Sequence, residues 1–169
     1  MLLTCKQSTC KQTGVKAKAD PESPRYQALL QLLRTAESLW NASRIFFDQW
    51  KLSASQFNVL NLLYLTPGGS TQVELSRLLI MHRSNITGLV DRLEKRRLLR
   101  REDNPLDRRA YKVVLTAEGR RLIEKILPVY YEKAEKIWGN FPDARTRQLI
   151  GDLEKLSTNI DSFSQTNLK

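Results

Sequence analysis

The run Arg83-Ser84-Asn85-Ile86-Thr87-Gly88-Leu89-Val90-Asp91-Arg92 places cations and small hydrogen-bonding side chains on one short segment. Asn, Ser and Thr side chains both donate and accept, which is the equipment needed to read a base edge. Arg83 and the free amides of a helix's first turn suit a backbone phosphate. A second group follows at Asp107-Arg108-Arg109. Residues 83–112 hold ten basic side chains (Arg83, Arg92, Lys95, Arg96, Arg97, Arg100, Arg101, Arg108, Arg109, Lys112) against five acids (Asp91, Glu94, Glu102, Asp103, Asp107), a local net charge of +5. The 169-residue chain carries +10 in all, so half of the surplus sits in fewer than a fifth of the residues. The expected partner is a polyanion, nucleic acid before an anionic membrane surface. A charge run this local and this rich in arginine reads as a phosphate-binding patch.

Other chemistries find little support. His82 is the only histidine, and Cys5 and Cys10 lie in a polar, Lys-rich leader at a spacing that matches no zinc pattern. No metal or other cofactor is expected. A thiol oxidoreductase built on the two cysteines is the enzymatic alternative, but no nucleophile–base pair and no phosphate-cradling glycine loop accompanies them. The protein is therefore expected not to be an enzyme. No apolar run spans a membrane, and Met1-Leu2-Leu3 gives way at once to Thr4, Cys5 and Lys6, so the expected address is the cytoplasm, without a membrane partner.

The elements that position these residues follow from periodicity. Residues 1–24 form a basic leader without hydrophobic pattern. Over 25–50, Tyr26, Leu29, Leu33, Ala36, Trp40 and Phe47 recur at helical spacing, and Leu30, Leu32, Leu39 and Phe46 add a second stripe. Two stripes on one helix imply a second surface to cover. Ser53-Ala54-Ser55-Gln56 and Thr71-Gln72-Val73-Glu74 are capping boxes, opening helices that carry Phe57, Leu60, Leu63 and Tyr64, then Leu75, Leu78 and Leu79. A third helix carries Ile86, Leu89, Val90 and Leu93. Leu98–Glu102 and Tyr111–Leu115 read as strands joined by a polar turn. A long helix runs from Thr116-Ala117 to about Trp138, with Pro128 expected to kink it. The last begins at Pro142 with Leu149, Leu153, Leu156, Ile160 and Phe163 at heptad spacing.

Three short helices followed by a hairpin is the winged helix-turn-helix order. The expected fold is mainly α, with a three-helix core and a two-stranded β wing over 51–118. Helices over 25–50 and 119–165 form a dimerisation region, so the chain itself is an expected partner. The third helix buries its four apolar residues and turns Arg83, Ser84, Asn85, Thr87, Gly88 and Arg92 towards a major groove. Arg108 and Arg109 at the hairpin tip suit a minor groove, and Asp107 orients Arg109 by a charge-assisted hydrogen bond.

Residues 83–94 closely resemble the recognition helix of MarR-family transcriptional regulators. Asp107-Arg108-Arg109, followed by Leu115-Thr116 and Glu118-Gly119, resembles the same family's wing signature. The resemblance covers roughly residues 25–163. It implies a dimer with intertwined terminal helices, two winged domains reading a pseudo-palindromic DNA operator, and Arg109 in the minor groove held by Asp107. It also implies a repressor that releases DNA when a small, often phenolic, ligand or an oxidant arrives. Trp40, Arg44, Phe47, Phe57 and Tyr64 are the candidates for binding such a small aromatic or anionic effector. Two positions depart from the family: Arg97 stands where Gly is usual, so the turn there is expected to differ, and His82 where Ser is common. A nonspecific architectural DNA binder and an adaptor that has lost DNA binding are the alternatives.

Overall fold

A computed structural model describes residues 20–79, 83–104 and 111–167. Cys5, Cys10, His82 and the hairpin tip with Asp107, Arg108 and Arg109 lie outside the described residues. The chain divides at Ala54–Ser55 into two compact units.

The first unit holds α1 (Pro24–Asp48), which opens with Pro24 just inside its first turn. Its end is a Schellman turn: Leu52 N–H donates to Phe47 C=O at 3.3 Å and Lys51 N–H to Asp48 C=O at 2.8 Å. Lys51 takes the left-handed conformation that this turn requires, φ 53°. Phe47 is the only α1 residue buried among those described, and Phe46 stands edge-on to it, the ring centroids 4.9 Å apart. Tyr26, Leu29, Leu33, Leu39, Trp40 and Ile45 are all exposed.

The second unit contains α2 (Ala54–Leu65) from its second residue on, then β1 (Ser70–Thr71), α3 (Gln72–Leu78), α4 (Arg83–Lys95), β2 (Leu99–Asp103), β3 (Tyr111–Leu115), α5 (Ala117–Trp138) and α6 (Asp143–Asn167). Its core gathers Phe57, Val59, Leu60 and Leu63 from α2, Leu75 from α3, and Ile86, Leu89, Val90 and Leu93 from α4. Leu98, Leu99, Val113, Ile123, Ile126 and Leu127 complete it. Phe57 near the start of α2 meets Tyr130, and Arg120 lies over Tyr64 near its end, so α2 and α5 run antiparallel.

The two-stranded wing, β2 paired antiparallel to β3, is joined by a third strand beyond the two expected from the sequence. The sheet has three strands in the order β1-β3-β2, with Ser70 and Thr71 paired antiparallel to Val113 and Lys112. Two residues carry no alternation that a sequence pattern could register. Their strand exists because Gly69, at φ 72°, lets the chain turn against β3. A Cβ there would stand 2.5 Å from Val114 Cγ1. The capping box at Thr71 is complete: its hydroxyl accepts from Glu74 N–H at 3.2 Å, and Glu74 Oε2 accepts from Thr71 N–H at 2.7 Å. α5 continues through Pro128.

The turn between α4 and β2 is the tightest joint. Leu98 N–H donates to Leu93 C=O at 3.1 Å and Arg97 N–H to Glu94 C=O at 2.8 Å. This is a second Schellman turn, and Arg97 occupies its left-handed position at φ 59°. The turn therefore does not differ as expected; Arg97 accepts the strain. Leu98 belongs to the turn, which is why β2 starts one residue later than its apolar run. Thr116, the N-cap of α5, donates its hydroxyl to Arg97 C=O at 2.7 Å and its amide to Leu98 C=O at 3.1 Å. Gly119 presses against the same turn, where a Cβ would lie 1.9 Å from the Leu98 carbonyl oxygen.

Two outcomes follow. Because a left-handed residue without glycine's freedom costs about 1 kcal/mol, Arg97→Gly should be more stable than Arg97→Ala by that amount in urea unfolding. The Thr71 backbone N–H and then its hydroxyl hold the Glu74 carboxyl below its ordinary value of 4.5. A carboxylate depressed in the folded state stabilises it above the unfolded value and loses that contribution as pH falls through the folded one. Because Glu74 is exposed and its interaction is screened by solvent, Glu74→Ala should cost only a few tenths of a kcal/mol at neutral pH, and the difference should close in acid titrations followed by circular dichroism.

Candidate nucleic-acid interface

The third helix of the expected motif divides as its spacing requires. Ile86, Val90 and Leu93 have no accessible surface and Leu89 almost none, while Asn85, Thr87 and Arg92 are exposed. Burying four such side chains is worth several kcal/mol, on the order of 2 each, and this fixes which face of α4 looks outward. Gly88 is not demanded by packing, since a Cβ there would meet Arg92 Nη1 at an unstrained 3.6 Å. What Gly88 contributes is a bare stretch of backbone on the outward face. Arg83 and Ser84 form the first turn of α4.

The acids of this basic region have a partner that spacing alone does not reveal. Thr87, Asp91 and Glu94 lie along one edge of α4. The Arg101 guanidinium on β2 pairs with both Asp91 and Glu94, and Arg101 N–H donates to Glu94 Oε1 at 2.9 Å. Burial works to lower the Arg101 pKa, but hydrogen bonds and charge from Asp91 and Glu94 outweigh it and hold the guanidinium above its usual value. The carboxylates thus face an inward cation and not the outward face. Further along that edge, Thr87 Oγ1 donates to Gln72 Oε1 at 2.9 Å, tying α4 to α3. Neither Arg101 nor Gln72 stood out in the sequence. An acid pair at i, i+3 opposite an arginine-rich strand was the available signal for the first.

Positive charge continues past the end of α4. An open cleft of about 530 Å³ beside the α4–β2 turn is lined by Arg96, Arg121 and Lys125, with Glu118, Leu98 and Leu122. Among the described residues no group of three or more His, Cys, Asp or Glu side chains is placed to hold a metal, and no helix is long and apolar enough to cross a membrane.

The candidate effector residues separate by unit. In the first, Trp40 and Arg44 are exposed and Phe47 is buried; in the second, Phe57 is buried and Tyr64 half-buried on the α2 face that meets α5. Asn61 lies on the same face, and its Oδ1 is buried with no hydrogen-bond donor among the described residues.

The comparisons agree with this geometry. A family model described as "MarR family" matches residues 50–110. The chain is 32% identical over 124 residues to the HTH-type transcriptional regulator PapX of Escherichia coli, covering 72% of this chain and 76% of that one. Among solved structures, Bordetella bronchiseptica BpsR, described by the regulation of its DNA binding by 6-hydroxynicotinic acid, is 29% identical. It superposes with a TM-score of 0.63 over 77% of this chain and 98% of that one. The Staphylococcus aureus MepR–DNA complex, 20% identical, shares the fold with a TM-score of 0.70 over 80% of this chain and 97% of that one.

The ion-pair arrangement makes a testable demand. Arg101→Met should cost about 1–2 kcal/mol of stability, since it leaves two half-exposed carboxylates without their cation. It should also weaken duplex binding by exposing negative charge beside the outward face. Adding Asp91→Asn and Glu94→Gln should recover most of the DNA affinity in fluorescence anisotropy; no recovery would sink this account.

Proposed function

The chain belongs to the MarR family of helix-turn-helix transcriptional regulators, which bind DNA, and on that premise we propose that it is a cytoplasmic homodimeric repressor. In this reading the dimer sits on a pseudo-palindromic operator and is released by a small aromatic or anionic effector. The observation that carries the proposal is the division of α4, with four apolar residues inward and Asn85, Thr87, Gly88 and Arg92 outward. Asn85 and Thr87 read base edges in the major groove, Arg83, Ser84 and Arg92 hold phosphates, and Gly88 lets the helix approach closely. Arg108 and Arg109 reach the minor groove, with Asp107 orienting Arg109.

Homodimerisation is supported by apolar side chains left in water: Tyr26, Leu29, Leu33 and Trp40 on α1, and Leu149, Leu153, Leu156, Ile160 and Phe163 on α6. Isolated exposed leucines are ordinary, but two helical stripes of them mark an interface.

An effector is supported by the orphaned Asn61 Oδ1 between the Phe57 and Tyr64 rings on α2. A buried acceptor without a donor costs about 1–3 kcal/mol, and a ring-bearing ligand with a hydroxyl would relieve it. Trp40, Arg44 and Phe47 of α1 are the further candidates, Arg44 for a carboxylate. The BpsR ligand, an aromatic acid bearing a ring hydroxyl, has this chemistry.

Selection from a randomised duplex pool should enrich two inverted half-sites about 34 Å apart, one helical turn. Asn85→Ala and Arg109→Ala should each weaken binding to the enriched duplex by about 1–3 kcal/mol. Light scattering should give twice the mass of the chain. Equal affinity for every duplex at fixed salt would replace this reading with a nonspecific architectural one.

A further inference from the structure

We propose that Gln72 is a DNA-contacting residue outside the recognition helix, and that it acts with Thr87 as a single unit that sets how Thr87 meets a base. The inference rests on the DNA-binding reading and deepens it.

The carrying observation is the bond between Thr87 Oγ1 and Gln72 Oε1, 2.9 Å, between side chains fifteen residues apart on two different helices. It has two chemical consequences. The first concerns Thr87. A free threonine hydroxyl can donate or accept, and so reads either kind of base edge. Here the hydroxyl hydrogen is directed at the protein. Thr87 therefore does not meet DNA as a donor, and its methyl group is what remains to select the thymine methyl.

The second consequence concerns Gln72. A side-chain amide has one acceptor and two donors, and its acceptor is taken. The Gln72 amide nitrogen makes no hydrogen bond among the described residues, and the side chain is only half-exposed, so the remaining donors project from a fixed geometry. Their natural partner is a hydrogen-bond acceptor on the duplex, either a base edge such as guanine O6 or N7 or a phosphate oxygen.

The position of Gln72 in the fold supports this assignment. Thr71 immediately before it pairs with Lys112 on β3, the strand that returns from the wing. Thr87, its partner, lies on the recognition helix. Gln72 thus stands where the two DNA-reading elements join, and a contact there is made by both at once. The capping-box reading of the sequence treats Gln72 as filler between Thr71 and Glu74, because the box uses only its first and last residues.

The test uses the full chain and the duplex that it enriches from a randomised pool. Gln72→Ala and Thr87→Val should each weaken binding about tenfold, and the double variant should be no weaker than the worse single one, since both remove one unit. Gln72→Glu keeps an acceptor for Thr87 but replaces the donors with a charge that repels DNA, so it should bind less tightly than Gln72→Ala. Circular dichroism melts of all four variants check that the fold is retained. A loss confined to one base pair assigns the Gln72 amide to a base edge, and an equal loss on every duplex assigns it to a phosphate. Wild-type affinity in Gln72→Ala overturns the proposal and leaves the operator reading intact, as does full additivity of the two single variants. A wild-type chain that enriches no sequence overturns both.

Discussion

The carbonyls of Arg97 and Leu98 hold the working parts of this protein in one joint. Thr116 takes both, one with its hydroxyl and one with its amide, and Gly119 closes the gap by having no Cβ. The end of α4, the first strand of the wing and the start of α5 therefore meet at four residues. None of the three can shift by an ångström without breaking a hydrogen bond or driving a backbone atom into a carbonyl. This explains why a non-glycine residue survives at φ 59°. Two Schellman bonds, two bonds from Thr116 and the burial of Leu98 over-determine the turn, and the strain of about 1 kcal/mol is small beside them.

The same economy governs charge. Asp91 and Glu94 sit on α4, the helix proposed to face DNA, where an unpaired carboxylate would repel phosphate. Their ion pairs with Arg101 are half-exposed, and pairs of that kind are worth at most about 1 kcal/mol each. Stability is thus too weak a reason for them. Their effect is positional. They turn negative charge inward against β2, fix the angle between helix and wing through the additional Arg101 N–H bond, and leave the outward face to Asn85, Gly88 and Arg92.

Much of this was legible in the sequence because it depends on local pattern. The element order, the Thr71–Glu74 box, the α4 core and the Thr116 start of α5 all follow from spacing and capping chemistry within a few residues. What could not be read depends on pairing across the fold. β1 is two residues long and exists only against β3. Arg101 and Gln72 act on residues seven to fifteen positions away, and no periodicity marks them. The Arg97 turn was misjudged for a related reason: its local cost was visible, while the Thr116 and Leu98 contacts that offset it were not. Lys51 repeats the case at the end of α1, where Leu52 and Phe47 are buried on either side of the turn.

The joint also gives the outer helices a reason to exist in the proposed dimer. α6 spans 25 residues, about 37 Å at 1.5 Å per residue. It presents a regular apolar stripe to water, and so long a helix draws most of its stability from packing rather than propensity. A second copy supplies that packing. Each half-site alone offers only a few base contacts, but joining two domains makes the second binding event intramolecular and raises affinity without any new contact. That gain is realised only if the spacing between the two recognition helices matches the half-sites. In the proposed dimer that spacing would depend on how α5 is held to α4, which is the joint that Thr116 and Gly119 make with the Arg97 and Leu98 carbonyls. The proposed effector face of α2 is also the one whose Phe57 and Tyr64 meet Tyr130 and Arg120 of α5, so an effector there would act on α5 without touching the proposed DNA-reading face.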